Sequence, residues 1–246
     1  MDELAVDLWE HPELGLHEER ASRLLRGALD EAGFEIEAGV GDMPTAFVAS
    51  YESGDGPTIG VLGEYDALPG LSQAVSAERE PVDAGGPGHG CGHNLFGTAG
   101  VGAAIAVARA LDRGDAAGEI RFYGCPAEET LVGKTFMARD GVFDDLAAAV
   151  TWHPSDHTAP QRGSSLALDS LSFTFEGESA HAAASPESGR SALDAVQLLN
   201  TGVEYMREHV PEAVRVHCNV QEGGDAPNVV PAEASVWYFV RAPTRE

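Results

Sequence analysis

The stretch GHGCGHNLFGTAGVGAAIAVARALDRGDAAGEIRFYGCPAEE, residues 88–129, joins a glycine-rich loop, a long apolar segment and a β-rich run in direct succession. The segment from about Gly97 to Leu111 is rich in Gly and Ala, which predicts a helix that packs closely on a sheet. Glu119–Gly124 predicts the strand that follows it. Helices that alternate with strands are typical of α/β folds, so this stretch predicts that fold class.

Elements of the same kinds flank this stretch on both sides. Helices are predicted at residues 17–33, where Gly33 is a stop signal, and near Gly133–Arg139, and strands at Thr45–Tyr51, Thr58–Gly63 and Ala147–Trp152. The Thr58–Gly63 run is apolar throughout, as in a buried parallel strand. The alternation predicts an α/β domain over residues 1–165, with a mostly parallel sheet sandwiched by helices.

A different pattern follows in residues 166–246. Two-residue alternation predicts strands at Leu166–Glu176, Val214–Gln221 and Ala234–Arg241, and an amphipathic helix is predicted at Gly189–Glu208. This β-α-β-β order predicts a small α+β lid or dimerisation domain. Three strands and one helix leave a sheet edge and a sheet face open, so we expect this second domain to be incomplete.

The charge of the chain restricts its partners. Forty acidic residues face fifteen basic ones, the net charge is −25, and Lys134 is the only lysine. Nucleic acid and an anionic membrane are excluded as main partners, because both would repel such a chain. The acid-rich, lysine-poor composition also predicts a halophilic protein that is adapted to a high-salt cytoplasm, where screening lengths fall to a few Å.

Cysteine usage and hydropathy indicate a cytoplasmic location. The three cysteines, at positions 91, 125 and 218, are widely spaced and odd in number, which argues against a disulfide framework. No uninterrupted apolar run approaches the roughly 20 residues that a membrane span needs. The N-terminal residues 1–4 lack the basic region of a secretory signal.

Four segments rich in chemically useful side chains are expected at one edge of the predicted sheet. They are GEYDALP (63–69), GHGCGHN (88–94), CPAEE (125–129) and TWHP (151–154). In an open α/β sheet, ligands gather beyond the carboxyl ends of the strands. Each segment is weak evidence alone, and their shared position is what predicts a site.

Each candidate residue also has an ordinary structural explanation. Cys91 and His93, separated by one glycine, can both reach a metal from a loop, or can be a buried cysteine and a surface histidine. Adjacent carboxylates at Glu128 and Glu129 are unfavourable without a cation, yet an acidic pair is common in so acidic a chain. His153 fits equally well as a metal ligand and as a strand-end histidine.

A resemblance to a known family favours the metal interpretation. The strings LGEYDALPGLSQ (62–73), GHGCGHN (88–94), PAEE (126–129), TWHP (151–154), GESAHAAASPESGRSALDAV (177–196) and NVVPAEASVWYFVRAP (228–243) carry it. They resemble the dinuclear metal amidohydrolases and metallopeptidases that include the folate-cleaving carboxypeptidase, aminoacylase and the indole-acetyl-amino-acid hydrolases. Within that family the branch with a cysteine ligand, that of the B-type aminobenzoyl-glutamate hydrolases, is the most similar.

The resemblance implies a role for each matching residue. It implies two divalent ions, zinc or manganese, held by Cys91, His93, Glu129 and His153. Glu128 would be the general base and later the proton donor, and Asp66 would orient the site. His181 would stabilise the oxyanion in a neighbouring subunit, and Asn228 and Arg241 would grip the substrate's carboxylate. Without the resemblance, His181 would be interpreted as a surface histidine and Arg241 as a solubilising arginine.

The implied function is hydrolysis of the amide bond of an N-acyl amino acid, such as aminobenzoyl-glutamate in folate catabolism, by a metal-bound hydroxide. The lid domain would form a homodimer. Relatives supply one more histidine ligand after the small domain, whereas this chain ends at Glu246. The alternative is therefore a non-catalytic, truncated remnant or subunit that binds metal weakly or forms dimers. A zinc deaminase is a weaker alternative, since its Pro-Cys-x-x-Cys motif is absent.

Overall fold

Two sheets, each with its own buried core, divide the chain into the units Met1–Thr158 and Ala159–Glu246. The computed structural model describes residues 1–160 and 164–245. The predicted domains, 1–165 and 166–246, divide within a few residues of this boundary. Their assignment as a catalytic domain and a lid domain stays a prediction.

The first unit contains four helices and five strands in its described part. The helices are α1 (Asp2–Glu10), α2 (Glu19–Glu31), α3 (His93–Asp112) and α4 (Gly133–Arg139), and the strands are β1 (Glu35–Ala38), β2 (Phe47–Ser53), β3 (Thr58–Glu64), β4 (Gly118–Cys125) and β5 (Ala148–Val150). The five strands form one sheet in the order β1-β2-β4-β3-β5. The predicted α/β class is confirmed.

The sheet is mixed, where the sequence predicts a mostly parallel one. β3 pairs in parallel with β4 and β5, whereas β2 pairs antiparallel with β1 and β4. The reason is the connection between β2 and β3, which consists of residues 54–57. A parallel return needs a crossover of a dozen or more residues, so this short connection sends β3 back in the opposite direction.

Helix α3 packs closely on the sheet because two of its glycines face the strands. A Cβ atom at Gly97 would lie 2.6 Å from the Glu64 carbonyl oxygen, and one at Gly100 would lie 2.8 Å from the Phe122 ring. By length and composition α3 would also qualify as a membrane span, alone among the helices of the described residues. Its buried positions instead contact β3, α1 and α2, as those of a core helix do.

The second unit has the predicted β-α-β-β order. Its elements are β6 (Ala167–Glu176), α5 (Ala192–Met206), β7 (Arg215–Glu222) and β8 (Glu233–Ala242). The strands form an antiparallel sheet in the order β6-β8-β7. The Ser191 side chain accepts a hydrogen bond from the Asp194 amide at 3.1 Å, which caps the start of α5. Ala192 and Val196 of α5 are buried in one core with Val236 of β8.

Candidate metal centre

The carboxyl ends of β3, β4 and β5 bring four acidic or basic segments to one edge of the first sheet. Because β3 and β4 are parallel, their last residues, Glu64 and Cys125, lie opposite each other. Asp66 follows β3, the pair at 128–129 follows β4, and His153 follows β5. Helix α3 starts at the same edge, with His93 as its first residue.

A left-handed glycine makes the loop before α3 possible. Gly92 has φ +80°, and a Cβ atom there would lie 3.0 Å from Cγ of Pro154. A side chain at this position would therefore be strained and crowded. The glycine lets Cys91 and His93, on either side of it, turn toward the same point.

Cys91, His93 and His153 form a first group of potential ligands, whose donor atoms all lie within 4.8 Å of one another. The Cys91 Sγ and His153 Nε2 atoms are 3.4 Å apart. His153 Nδ1 lies 3.0 Å from the Pro154 carbonyl oxygen, which can only accept a hydrogen bond. The ring proton therefore resides on Nδ1, and Nε2 is left with a free lone pair.

Glu64, His93 and Glu128 form a second group, again with donor atoms within 4.8 Å of one another. His93 Nε2 lies 3.0 Å from Glu64 Oε2 and 4.0 Å from Glu128 Oε2. His93 thus belongs to both groups, and its side chain is fully buried. The arrangement can bridge two neighbouring positions at which a cation would be favourable.

Asp66 orients this site from below. One of its carboxylate oxygens accepts a hydrogen bond from His93 Nδ1 at 2.8 Å, and the other accepts one from the Glu129 amide at 2.9 Å. The first bond fixes the His93 ring with Nε2 toward the two groups, as supporting carboxylates do for metal-binding histidines. The second fixes the backbone that carries the acidic pair.

The electrostatics of the site favour a cation. Burial opposes protonation of His93, yet the hydrogen bond to Asp66 and the nearby Glu64 carboxylate raise the His93 pKa to about 10. Burial and the Glu129 carboxylate raise the pKa of the Cys91 thiol to about 12. Burial and the charge of Glu64 also raise the pKa of Glu128. These groups thus retain protons that a divalent cation would displace.

Three buried atoms show directly that the residues fit a metal ion. His93 Nε2 and Glu64 Oε2 are satisfied only if a proton or a cation lies between them, because Nδ1 donates to Asp66. These two atoms and Glu129 Oε1 are buried and without a hydrogen-bond partner among the described residues. Buried polar atoms rarely stay unpaired. Thiol, imidazole and carboxylate together form a donor set that suits zinc and related divalent ions.

Glu129 differs from the other predicted ligands in its position. It belongs to neither of the two groups, and its carboxylate faces the Cys91 thiol. Glu128, predicted as the general base, is instead the member of the pair that lies beside His93 and Glu64. The separate roles predicted for these two carboxylates stay predictions.

The other predicted residues lie in the second unit. The His181 Nδ1 atom accepts hydrogen bonds from the amides of Ala183 and Ala184 at 3.2 Å, so its ring proton resides on Nε2 and the exposed ring can donate from there. The Asn228 carbonyl oxygen accepts a hydrogen bond from the Ala182 amide at 3.0 Å, which places Asn228 beside His181.

Arg241 lies at the far end of β8 from Asn228, and its guanidinium is 5.8 Å from the Phe239 ring centroid. Residues 233–241 of the strand separate the two, roughly 25 Å at about 3.3 Å per residue. One copy of this unit therefore cannot hold a single small carboxylate with both side chains. The predicted shared grip requires two copies.

Two residues at this edge were not selected from the sequence. Glu64 is the last residue of β3 and contributes to the second group, and the Lys134 ammonium group pairs with its Oε1 atom. Glu64 lies inside the GEYDALP motif, at the carboxyl end of a predicted strand, which is a usable signal. Lys134 is the only lysine in the chain, but its pairing across 70 positions carries no sequence signal.

Comparison with known proteins agrees with this site. Residues 167–246 match the peptidase dimerisation domain family, M20_dimer. The chain is 50% identical to the B-type p-aminobenzoyl-glutamate hydrolase polypeptide of Escherichia coli (strain K12), over 98% of its own length and 50% of that protein's. It is 33% identical to Xaa-Arg dipeptidase of Mus musculus, over 98% of its own length and 54% of that protein's. The chain spans about half the length of these curated relatives.

Solved structures agree as well. A dinuclear metal binding peptidase from the M20 family of Bacillus subtilis has a TM-score of 0.68 and 25% identity, with 99% of this chain and 64% of that chain covered. The aminobenzoyl-glutamate utilization protein from Klebsiella pneumoniae shares the fold, with a TM-score of 0.65 and 21% identity over 99% of this chain and 67% of that chain. The resemblance to dinuclear metal amidohydrolases and metallopeptidases is confirmed.

Proposed function

This chain carries the dimerisation domain of the M20 peptidase family in residues 167–246, and from that premise we propose that its first unit is the metal-binding part of an amidohydrolase. The observation that carries the proposal is the convergence of Cys91, His93 and His153 within 4.8 Å beside buried, unpaired Glu64 and Glu129 oxygens. The proposed reaction is hydrolysis of the amide bond of an N-acyl amino acid.

The proposed metal ligands are Cys91, His93, His153 and Glu129, with Glu64 and Glu128 adjacent. A pair of divalent ions, when bound there, acidifies a water molecule and polarises the substrate's carbonyl group. Asp66 keeps the His93 ring and the Glu129 backbone in place through its two hydrogen bonds. The thiolate favours zinc over harder ions, while manganese stays the alternative.

Glu128 is the proposed general base. Its carboxylate lies 4.0 Å from His93 Nε2, at the edge of the ligand groups, and is only partly buried, so it can reach a water molecule held there. It would take a proton from that water and return the proton to the nitrogen of the leaving amine. No other described carboxylate in the two groups is similarly exposed, since Glu64 is buried.

The proposed substrate is a small N-acyl amino acid with a free carboxylate, as in aminobenzoyl-glutamate, the compound after which the Escherichia coli relative is named. Arg241 and Asn228 would bind that carboxylate, and His181 would donate from Nε2 to the developing oxyanion. Because Asn228 and Arg241 lie at opposite ends of β8, this arrangement needs a homodimer formed through the second unit. The proposed location is the cytoplasm.

An assay on purified chain tests the proposal. The chain is loaded with zinc, its metal content is measured, and hydrolysis of aminobenzoyl-glutamate is followed. We expect Glu128→Gln to keep its metal and to lose at least about 100-fold in kcat, the lower range for a general acid–base group. Glu31→Gln, a change on the exposed face of α2, is the matched control and should retain both properties.

Two results would contradict parts of this proposal. Normal hydrolysis by Glu128→Gln would remove Glu128 from the mechanism. Stoichiometric metal binding without any turnover by the unaltered chain would favour the second candidate, a metal-binding or dimer-forming subunit that is not itself catalytic. That candidate is favoured by one observation, the coverage of only about half of each curated relative.

A further inference from the structure

Glu18 is a buried carboxylate for which the proposed mechanism has no use. Its residue has 0% exposure, and it lies directly before α2, far from β4 in sequence. One oxygen accepts a hydrogen bond from the Ala127 amide at 2.7 Å, and the other accepts one from the Thr45 hydroxyl at 3.0 Å. A buried carboxylate is unfavourable unless its hydrogen bonds compensate for lost hydration. Burial accordingly raises the Glu18 pKa.

The backbone that Glu18 contacts is in an unusual conformation. Ala127 has φ +52°, the left-handed region that residues with a side chain rarely adopt. It is also fully buried, and it immediately precedes the acidic pair of the candidate metal centre. Such strain persists only where the surroundings hold it in place.

The surroundings of Ala127 are tightly fitted. A Cβ atom at Gly15 would lie 3.1 Å from the Ala127 Cα atom, and one at Gly133 would lie 1.8 Å from the Pro126 carbonyl oxygen. The segment before Glu18 and the start of α4 therefore close on the turn from two sides. Within this fit, the Glu18 carboxylate is the side-chain group that accepts the Ala127 amide proton.

Two carboxylates thus hold the two ends of a three-residue segment, 127–129. Glu18 binds the amide of its first residue, and Asp66 binds the amide of its last. The Asp66 bond belongs to the metal centre already described. The Glu18 bond fixes the direction in which the chain leaves β4, and so the direction in which both carboxylates of the pair emerge.

We infer that Glu18 is a positioning residue for the metal centre, which holds Ala127 in its left-handed conformation so that Glu128 and Glu129 point toward Cys91 and His93. The inference rests on the proposed metal-binding function of the first unit. Glu18 touches neither metal nor substrate, and it acts only through the backbone of the turn.

Glu13 provides a matched control on the same segment. Its carboxylate also accepts two hydrogen bonds, from the Arg20 amide at 3.0 Å and the Ala21 amide at 2.8 Å. These bonds stabilise the first turn of α2 rather than the turn at Ala127. Glu13→Ala and Glu18→Ala should therefore both lower stability, whereas only the second should disturb the metal centre.

The experiment measures Co²⁺ affinity of the full chain by competition with a chelator, together with the visible absorption spectrum of bound Co²⁺. We expect Glu18→Ala to weaken Co²⁺ binding by about 10-fold or more, the range for residues that orient metal ligands, and to change the spectrum. Glu13→Ala should bind Co²⁺ within about threefold of the unaltered chain, because it leaves that orientation intact.

A rescue variant separates positioning from general stability. Glu18→Gln keeps an oxygen that can accept the Ala127 amide proton, so it should restore Co²⁺ affinity and spectrum to nearly the original values. Equal effects of Glu18→Ala and Glu13→Ala on Co²⁺ affinity would overturn the inference, as would unchanged binding by Glu18→Ala. If Glu18→Ala does not fold, Glu18→Asp, whose shorter side chain withdraws from Ala127, takes its place with the same outcomes.

The outcomes also separate this inference from the proposed function. If the unaltered chain fails to bind Co²⁺, the metal centre itself is refuted. If the unaltered chain binds Co²⁺ and the position-18 variants bind it equally well, only the role of Glu18 is refuted.

Discussion

At the scale of single residues, the site depends on where backbone geometry permits its donors to point. Residue types and spacing predict Cys91 and His93 as neighbours, and the structure brings their donor atoms together with that of His153. The sequence does not reveal Glu64 or Glu18, because their partners lie 70 and 109 positions away. Contacts at such separations depend on the folded sheet, which local pattern does not specify.

Gly92 provides the residue-scale prediction. Gly92→Ala introduces a left-handed alanine, which costs about 1–2 kcal/mol, and also a Cβ atom 3.0 Å from Pro154. We expect loss of stability in urea denaturation and weaker zinc binding, because the clash moves Cys91 and His93 apart. Zinc affinity is measured by chelator competition.

Gly114→Ala is the control for this variant. Gly114 has φ +72°, and nothing lies within 4 Å of the Cβ position, so the change adds the same backbone strain without a clash. It should lose a similar amount of stability and bind zinc normally. Equal zinc affinity in the two alanine variants would argue against a special role for the Gly92 turn.

At the scale of helices and strands, strongly patterned segments were predictable and weakly patterned ones were not. The apolar β3, the Gly- and Ala-rich α3 and all four elements of the second unit lie within a few residues of their predicted bounds. The strand β1 was missed because its sequence, EIEA, is short, acidic and mostly exposed. The apolar signal that marks a buried strand is therefore absent there.

Strand direction was the harder property to predict at this scale. The apolar run in β3 correctly indicates parallel neighbours, which are β4 and β5. The antiparallel half of the sheet follows from connection length rather than strand composition, since residues 54–57 leave no room for a crossover helix. Even so, the parallel half alone positions the site, because it brings the ends of β3, β4 and β5 together.

At the scale of the whole molecule, charge dominates the physical behaviour. A net charge of −25 on 246 residues favours unfolding through repulsion between like charges. The screening length falls from about 10 Å at 0.1 M salt to about 3 Å at 1 M, which weakens that repulsion. The spread of carboxylates throughout the chain means that both units should respond.

Thermal unfolding as a function of salt tests this expectation. We expect cooperative unfolding with a higher Tm at molar KCl, and partial or complete loss of structure at low ionic strength. Sucrose is the control, because it favours compact states without screening charge and should not replace KCl at low ionic strength. Equal Tm values at 0.1 M and 3 M KCl would show that charge repulsion does not limit the stability of this chain.

X-ray absorption at the zinc edge tests most directly whether thiolate, imidazole and carboxylate groups from separate loops bind one metal cluster. For the zinc-loaded chain we predict a sulfur ligand at about 2.3 Å together with nitrogen and oxygen ligands at about 2.0–2.2 Å. The sulfur signal should vanish in Cys91→Ser and persist in Cys218→Ser, whose cysteine is exposed in the second unit. A spectrum without sulfur, or one that Cys91→Ser leaves unchanged, would contradict the metal centre.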